Sequence, residues 1–287
     1  MTDLPAHAPD QAYIRVSALE AGHIEIPLDW AIDTAKEGEK SVVPALSFLL
    51  RHTQNNDLFV FDLGIRKDLE NLPAGYLARI AKMGFRAEVP LDAADSLARG
   101  GLEPTDITHV CYSHIHFDHI GDSRPYTRAT FVVGEGARAL VADGWPKNPD
   151  ALFAQDLLPE GRTRFLDPSD WPPLGPFPHA YDFYGDGSLY IVDAGSGHVA
   201  GHINVLARTS PDGGWVYLAG DSGHDRRLLT GEAKIPTHPY YGSEHLARIR
   251  TLMETYPRVR VLLAHDREWY EINKGGPAYW PGVMDSL

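Results

Sequence analysis

Four metal-binding side chains crowd into six residues at His114-Ile115-His116-Phe117-Asp118-His119. In an extended stretch alternate side chains share a face, which lets His114 and His116 grip one ion together. Asp118 follows on that face, and His119 falls at the turn beyond, where it and Asp118 can hold a second ion. A cluster of solvated loop histidines is the bland alternative, and three later positions weigh against it. His198 sits in Gly195-Ser196-Gly197-His198-Val199-Ala200-Gly201-His202, Asp221 ends Tyr217-Leu218-Ala219-Gly220-Asp221, and His265 ends Val261-Leu262-Leu263-Ala264-His265. Each lies just past a predicted strand, where a rigid sheet can aim a loop residue. Imidazoles and carboxylates without thiolate suit Zn²⁺, although Fe, Mn or Co fit the same donors.

The elements that must position these residues are mostly short and β-rich. Strands are predicted at 43–50, 58–62, 107–112, 129–133, 189–192, 202–207, 215–219 and 259–264. Asn55-Asn56-Asp57 and Asp212-Gly213-Gly214 read as hairpin turns. Leu77, Ile80 and Ala81 repeat with helical spacing, and Gly84 stands where such a helix stops. A second helix is expected from Ser243 as N-cap, with Leu246, Ile249 and Met253 as its apolar stripe. Residues 143–186, rich in proline and aromatics, read as a long surface excursion of the kind that is often functional. Strand groups with helices between them suggest sheets covered by helices. No linker-like segment divides the chain, so 1–287 is read as one domain, with an N-terminal flap or arm over about 1–40 and a C-terminal tail over about 267–287. Trp30 would belong to that flap or to an oligomer contact.

Composition excludes several classes. A net charge of −13 disfavours nucleic acid, which needs a basic face; Arg226-Arg227 and Arg248-Ile249-Arg250 read as solvated faces. No apolar stretch is long enough to span a bilayer, and Met1–Gln11 lacks a signal-peptide pattern. The single cysteine, Cys111, sits in an apolar run and has no intramolecular partner. The expectation is a cytoplasmic protein acting on a small molecule.

With these motifs in place, the chain resembles the metallo-β-lactamase superfamily over roughly residues 43–266. The resemblance implies an α+β fold, the four-layer αββα sandwich, with its site at the sheet edges. The family's five motifs match Asp62, the His114/His116/Asp118/His119 cluster, His198, Asp221 and His265. By the same resemblance His114, His116 and His198 hold a first ion, Asp118, His119 and His265 a second, and Asp221 bridges two Zn²⁺. Asp62 and His202 would then support the ligands from behind. A glutamate at His116 would have pointed to the di-iron redox members; histidine there favours hydrolysis.

Two ions of this kind can share a hydroxide, polarise a carbonyl and catch the leaving atom, and Asp118 beside them is the expected proton shuttle. The glutathione-thioesterase branch carries a helical C-terminal extension, whereas only residues 266–287 follow His265. True β-lactamases of the family usually place cysteine or serine at Asp221, and nuclease branches insert a further domain. What remains is similar to the lactonase-like branch, which includes acyl-homoserine lactonases and shares the ending Ala264-His265-Asp266. Those lactonases often carry tyrosine three residues after the bridging aspartate. Here His224 stands there, an imidazole able to donate to a developing oxyanion. Lactones, lactams and cyclic carbamates are therefore all expected substrates, with a thioesterase of the glyoxalase II type or a non-catalytic metal-binding relative as alternatives. Phe117, His224, Tyr240, Tyr241 and Trp269 are the expected pocket residues, and the branch implies a homodimer.

Overall fold

Along the predicted strands large apolar side chains occur at both alternate positions, so each sheet must be covered on two faces. The structure, a computed structural model, describes residues 2–195, 197–236 and 243–287. A six-stranded sheet runs in the order β1 (Ile14–Leu19), β4 (Ser47–His52), β5 (Leu58–Phe61), β7 (His109–Cys111), β8 (Thr130–Gly134) and β9 (Thr163–Leu166). A five-stranded sheet runs β10 (Ala180–Asp182), β11 (Leu189–Gly195), β12 (His202–Arg208), β13 (Trp215–Leu218) and β14 (Val259–Leu262). A small third sheet orders β3 (Lys40–Pro44), β2 (His23–Pro27) and β6 (Arg86–Glu88).

One set of alternate residues, among them Phe48, Leu50, Phe59 and Phe61, joins Ile203, Val205, Val216 and Leu218 in a single buried cluster between the two large sheets. The opposite faces, marked by Leu49, Val60, Leu206 and Tyr217, pack in a second cluster with helical residues such as Leu246, Ile249 and Leu252. Each such large side chain contributes about 1.5–3 kcal/mol on burial. The outcome is the α+β fold, a four-layer αββα sandwich.

Parallel pairing sets where the loops emerge. β13 and β14 run parallel with Leu218 opposite Leu262, so Asp221 and His265 leave the sheet side by side, each three residues further on. β5 and β7 are also parallel, with Phe61 opposite Cys111, which brings Asp62 beside the start of the histidine motif.

Both hairpin turns form where the sequence places them, joining β4 to β5 and β12 to β13. Other readings shift. The run 43–50 is not one strand, because Val43 and Pro44 pair in the small sheet while Ser47 onward enters the large one; between them Ala45 donates to Gly22 and Leu46 to Ala264. The first helix spans Ala74–Met83 and stops at Gly84, whose φ of 70° is a left-handed cap. Its Ala81, however, is exposed, and Tyr76 is the residue it buries. The second helix spans Ser243–Thr255 and buries Leu252 with Leu246 and Ile249, leaving Met253 partly covered; the capping side chain of Ser243 lies outside what is described.

Residues 143–186 do more than wander over the surface, since β9 and β10 within them are the edge strands of the two large sheets. The N-terminal stretch likewise enters the six-stranded sheet as β1, and its His23–Pro27 run is the middle strand of the small sheet. The C-terminal stretch holds a helix, Arg267–Asn273, and sends Tyr279 and Met284 into the inter-sheet core. Among the described residues, no helix is long and apolar enough to cross a membrane.

Candidate metal centre

β7 ends at Cys111, so His114 and His116 lie in a loop, and Phe117–Ile120 forms a helical turn begun at His116. Asp118 thus projects from a helical turn rather than continuing an extended face. That difference separates its carboxylate from the first two imidazoles and directs it toward His265, whose Nε2 lies 3.4 Å away.

Three imidazole nitrogens converge. His114 Nε2 lies 2.9 Å from His116 Nδ1, and His198 Nε2 lies 3.1 and 3.0 Å from those two atoms. Asp221 Oδ2 faces the same group, 3.7 Å from His114 Nε2 and 3.4 Å from His198 Nε2. The other oxygen of Asp221 turns to a second group, 3.2 Å from His119 Nε2 and 3.3 Å from His265 Nε2. One carboxylate therefore divides its oxygens between His114/His116/His198 and Asp118/His119/His265.

Atoms behind the ligands fix which nitrogen faces inward. Asp62 accepts from the Ser113 N–H at 2.6 Å and the Ser113 hydroxyl at 2.8 Å, and its Oδ2 holds His119 Nδ1 at 2.8 Å. Ser113 Oγ in turn receives His114 Nδ1 at 3.0 Å. The Pro44 carbonyl accepts from His265 Nδ1 at 2.8 Å. With these N–H groups turned outward, Nε2 is the nitrogen that His114, His119 and His265 turn to the centre. Gly220 permits this proximity: a Cβ there would stand 2.8 Å from His202 Nε2 and 3.0 Å from Ser113 Cβ, at a φ of 49°. Gly201, three residues after His198, allows a close approach to the Gly134–Ala137 backbone, where a Cβ would meet the Ala137 nitrogen at 2.7 Å.

The electrostatics separate the two groups. Burial, reinforced by neighbouring imidazoles, holds His114 and His198 well below the usual histidine range, and burial lowers His116 to about 4. Burial also works against protonating His265, but Asp221 and Asp118 outweigh it and lift the ring to about 10; His119 rises in the same way. Burial opposes ionisation of Asp221, yet His119, His224 and His265 keep it well below the usual carboxylate range. The set thus comprises neutral imidazoles at one half and ionised carboxylates facing cationic imidazoles at the other.

A pair of divalent cations fits these residues. Three lone pairs and a carboxylate oxygen at one point match a tetrahedral site whose edges would be roughly 3.3 Å for the usual Zn–N length. Two buried polar atoms, His119 Nε2 and Asp221 Oδ1, lie 3.2 Å apart without forming a well-aligned hydrogen bond to each other or to another described residue. Both face the second group, where an ion would satisfy them.

The centre forms the floor of a cleft of about 360 Å³. Ile24 and Ile26 of β2, Trp30, Phe85, Leu152 and Phe153 form its walls, with Tyr76, Arg79, Ile80 and Met83 from one helix. Phe117 and His224 line it as the sequence suggests, and His224 Nε2 sits 3.0 Å from Asp221 Oδ2. Trp269 does not line it: its ring packs 5.9 Å from Tyr279 in the inter-sheet core, because Asp266 caps its helix and turns that face inward. Tyr240 and Tyr241 lie outside the described residues. His202 is buried beside the cluster, 5.2 Å ring to ring from His114, and burial lowers it to about 3. Sequence reasoning missed Ser113, whose signal was its position between β7 and the motif. It also missed Tyr76 and Arg79, whose only signal was a helical stripe read one residue off.

A sequence model of the metallo-beta-lactamase superfamily matches residues 41–224. The gamma-lactamase FDB1 of Fusarium pseudograminearum (strain CS3096) is 34% identical over 217 residues, covering 73% of this chain and 51% of the relative. The chain thus spans about half the length of that curated relative. The gamma-lactamase MBL2 of Gibberella moniliformis (strain M3125 / FGSC 7600) is 39% identical over 172 residues, covering 58% of this chain and 70% of the relative. Among solved structures, an N-acyl homoserine lactone hydrolase with the product N-hexanoyl-L-homoserine at its catalytic metal centre superposes with a TM-score of 0.70. It is 16% identical, and the match covers 95% of this chain and 99% of that one.

Proposed function

The chain belongs to the metallo-beta-lactamase superfamily, and from that premise we propose that it is a dinuclear metal-dependent hydrolase opening a small cyclic ester or amide. The observation carrying this reading is the Asp221 carboxylate, split between two sets of donors at the floor of an apolar cleft. His114, His116 and His198 would hold one ion, Asp118, His119 and His265 the other, and Asp221 both; zinc suits the donor set best. Such ions supply Lewis acidity toward a carbonyl and make water nucleophilic at neutral pH.

The chain's own residues do the rest. Asp118, ionised and opening on the cleft, accepts a proton from the attacking water and returns it to the leaving oxygen or nitrogen as the ring opens. His224 lines the same floor and donates a hydrogen bond to oxygen there as negative charge develops. Trp30 and Phe117 exclude water from a compact apolar ring, a setting in which these polar contacts gain strength. A lactone or lactam fits the reading better than a long flexible thioester, and relatives named as gamma-lactamases and a lactone hydrolase fold agree with it.

The deciding measurement is acid release in weak buffer by zinc-loaded protein, across lactones, lactams, cyclic carbamates and thioesters, with His116→Ala as control and metal content by mass spectrometry. Turnover of a cyclic class, absent from the control, with two ions per chain is the expected result. Faster turnover of thioesters than of every ring would replace this reading.

A further inference from the structure

We propose that Arg79 recognises a carboxylate on the substrate, so that the cleft selects a compact apolar lactone or lactam that also carries an acid; this rests on the hydrolase reading above. The helix Ala74–Met83 turns Tyr76, Arg79, Ile80 and Met83 to the cleft, the i, i+3, i+4, i+7 stripe of a helix that faces an apolar space. Three of these are apolar or aromatic. The fourth is a guanidinium, the charged group that the described cleft presents apart from the ligand set and His224.

The helix is not free to carry Arg79 away. Tyr76 Oη accepts from the Phe117 N–H at 2.9 Å, and the two rings meet edge to face at 5.6 Å. This ties the helix to the loop that bears His116. Arg79 comes nearly one turn later, about 4.5 Å along the axis, so the backbone that carries it is fixed relative to the loop bearing His116, and its side chain reaches the cleft.

Its chemistry is unspent. Arg79 is exposed and makes no ion pair or hydrogen bond among the described residues. Other arginines are engaged: Arg66 binds Asp68 at 2.7 Å and Arg124 binds Asp122 at 2.7 Å. A chain of net charge −13 repels anions at long range, so a cation at the mouth of the cleft is what lets an acid enter. The guanidinium fork matches a carboxylate with two parallel hydrogen bonds. The carboxylate released by ring opening forms at the centre itself. A group one helical turn away therefore meets an acid already present on the substrate.

The test compares a benzo-fused γ-lactone bearing a ring carboxylate with the methyl ester of the same compound, on wild type, Arg79→Gln and Arg79→Lys. Lys82→Gln, on the exposed side of the same helix, is the control. Wild type and the control should prefer the acid over the ester by about tenfold or more in kcat/KM; Arg79→Gln should lower that ratio by about tenfold, and Arg79→Lys should retain part of it. Any attraction of the centre for anions is common to all variants and cancels. An unchanged ratio in Arg79→Gln, or no preference in wild type, overturns the assignment. Should no lactone be hydrolysed, the hydrolase reading falls separately, and calorimetric binding of acid and ester decides Arg79. Tighter binding of the acid that Arg79→Gln abolishes supports it. Equal binding of the two, or none by the acid, overturns it.

Discussion

At the centre, His119, His265 and Asp221 are 1–2% exposed and tied by Asp62, Pro44 and one another. In the wall above, Trp30, Met83, Phe85 and Leu152 are half-buried and come from separate parts of the chain. The first region is held by directional bonds that tolerate little displacement; the second by apolar contact, which tolerates a change of shape. The difference assigns separate duties. Damage to the centre should abolish metal and turnover together, whereas damage to the wall should change which substrate is accepted.

Asp221→Ala tests the centre most severely. It removes an oxygen from each half-site, so metal content should drop below two ions per chain and turnover should fall by a thousandfold or more, on the order expected when a two-ion clamp is lost. A variant keeping two ions and activity would show that Asp221 does not join the halves.

Acidity should separate the halves themselves. His116 sits at about 4, so the His114/His116/His198 group is proton-free at neutral pH, whereas His265 sits at about 10 and keeps its proton until an ion displaces it. Affinity at the Asp118/His119/His265 half should therefore rise by about tenfold per pH unit for each proton released, between about 7 and 10. At the other half it should stay flat. Calorimetry in buffers of different ionisation enthalpy counts those protons. The sign reverses for the metal-free fold: a ring raised from 6.5 to about 10 stabilises it fully below 6.5, and that contribution is lost as pH climbs to about 10. Equal proton release at both halves would remove the distinction.

Asp62→Asn acts one step behind the ligands. The amide oxygen can still accept from the Ser113 N–H, but its nitrogen then faces the Ser113 hydroxyl and His119 Nδ1. The ring must respond by moving its proton to Nε2, where the ion needs a lone pair. Metal affinity should fall by about 10–100-fold with the fold retained by circular dichroism; unaltered affinity would mean that the outward bond is not what orients His119.

The centre was legible because its signals are local. Polar residue types at the ends of β-rich runs survive as letters, and the parallel register of β13 with β14 turns separate letters into neighbours. Even so, the two-residue alternation stops before Asp118, because the turn at Phe117–Ile120 puts that carboxylate where no such period would. The wall was mostly illegible. Ile24, Trp30 and Phe153 meet only through tertiary packing, and an isoleucine that lines a cleft reads the same as one in a core. Trp269 shows the converse: it stands near His265 in the sequence, yet its ring packs in the core.

Trp30 supplies the mildest test, and the one aimed at the wall alone. Its ring meets His224 edge to face at 5.3 Å and Phe85 at 6.2 Å, closing the cleft from the His23–Ala31 side. Trp30→Ala should leave metal content at the wild-type value. Losing that apolar surface should raise KM for a small lactone by about tenfold or more, at least the scale of one methylene contact, while kcat falls much less. A bulkier lactone, given more room, should lose less than a small one. Should kcat fall as steeply as KM rises, Trp30 would be acting through His224 on the reacting atoms, and the division between a centre that performs the chemistry and a wall that chooses the substrate would have to be redrawn at that contact.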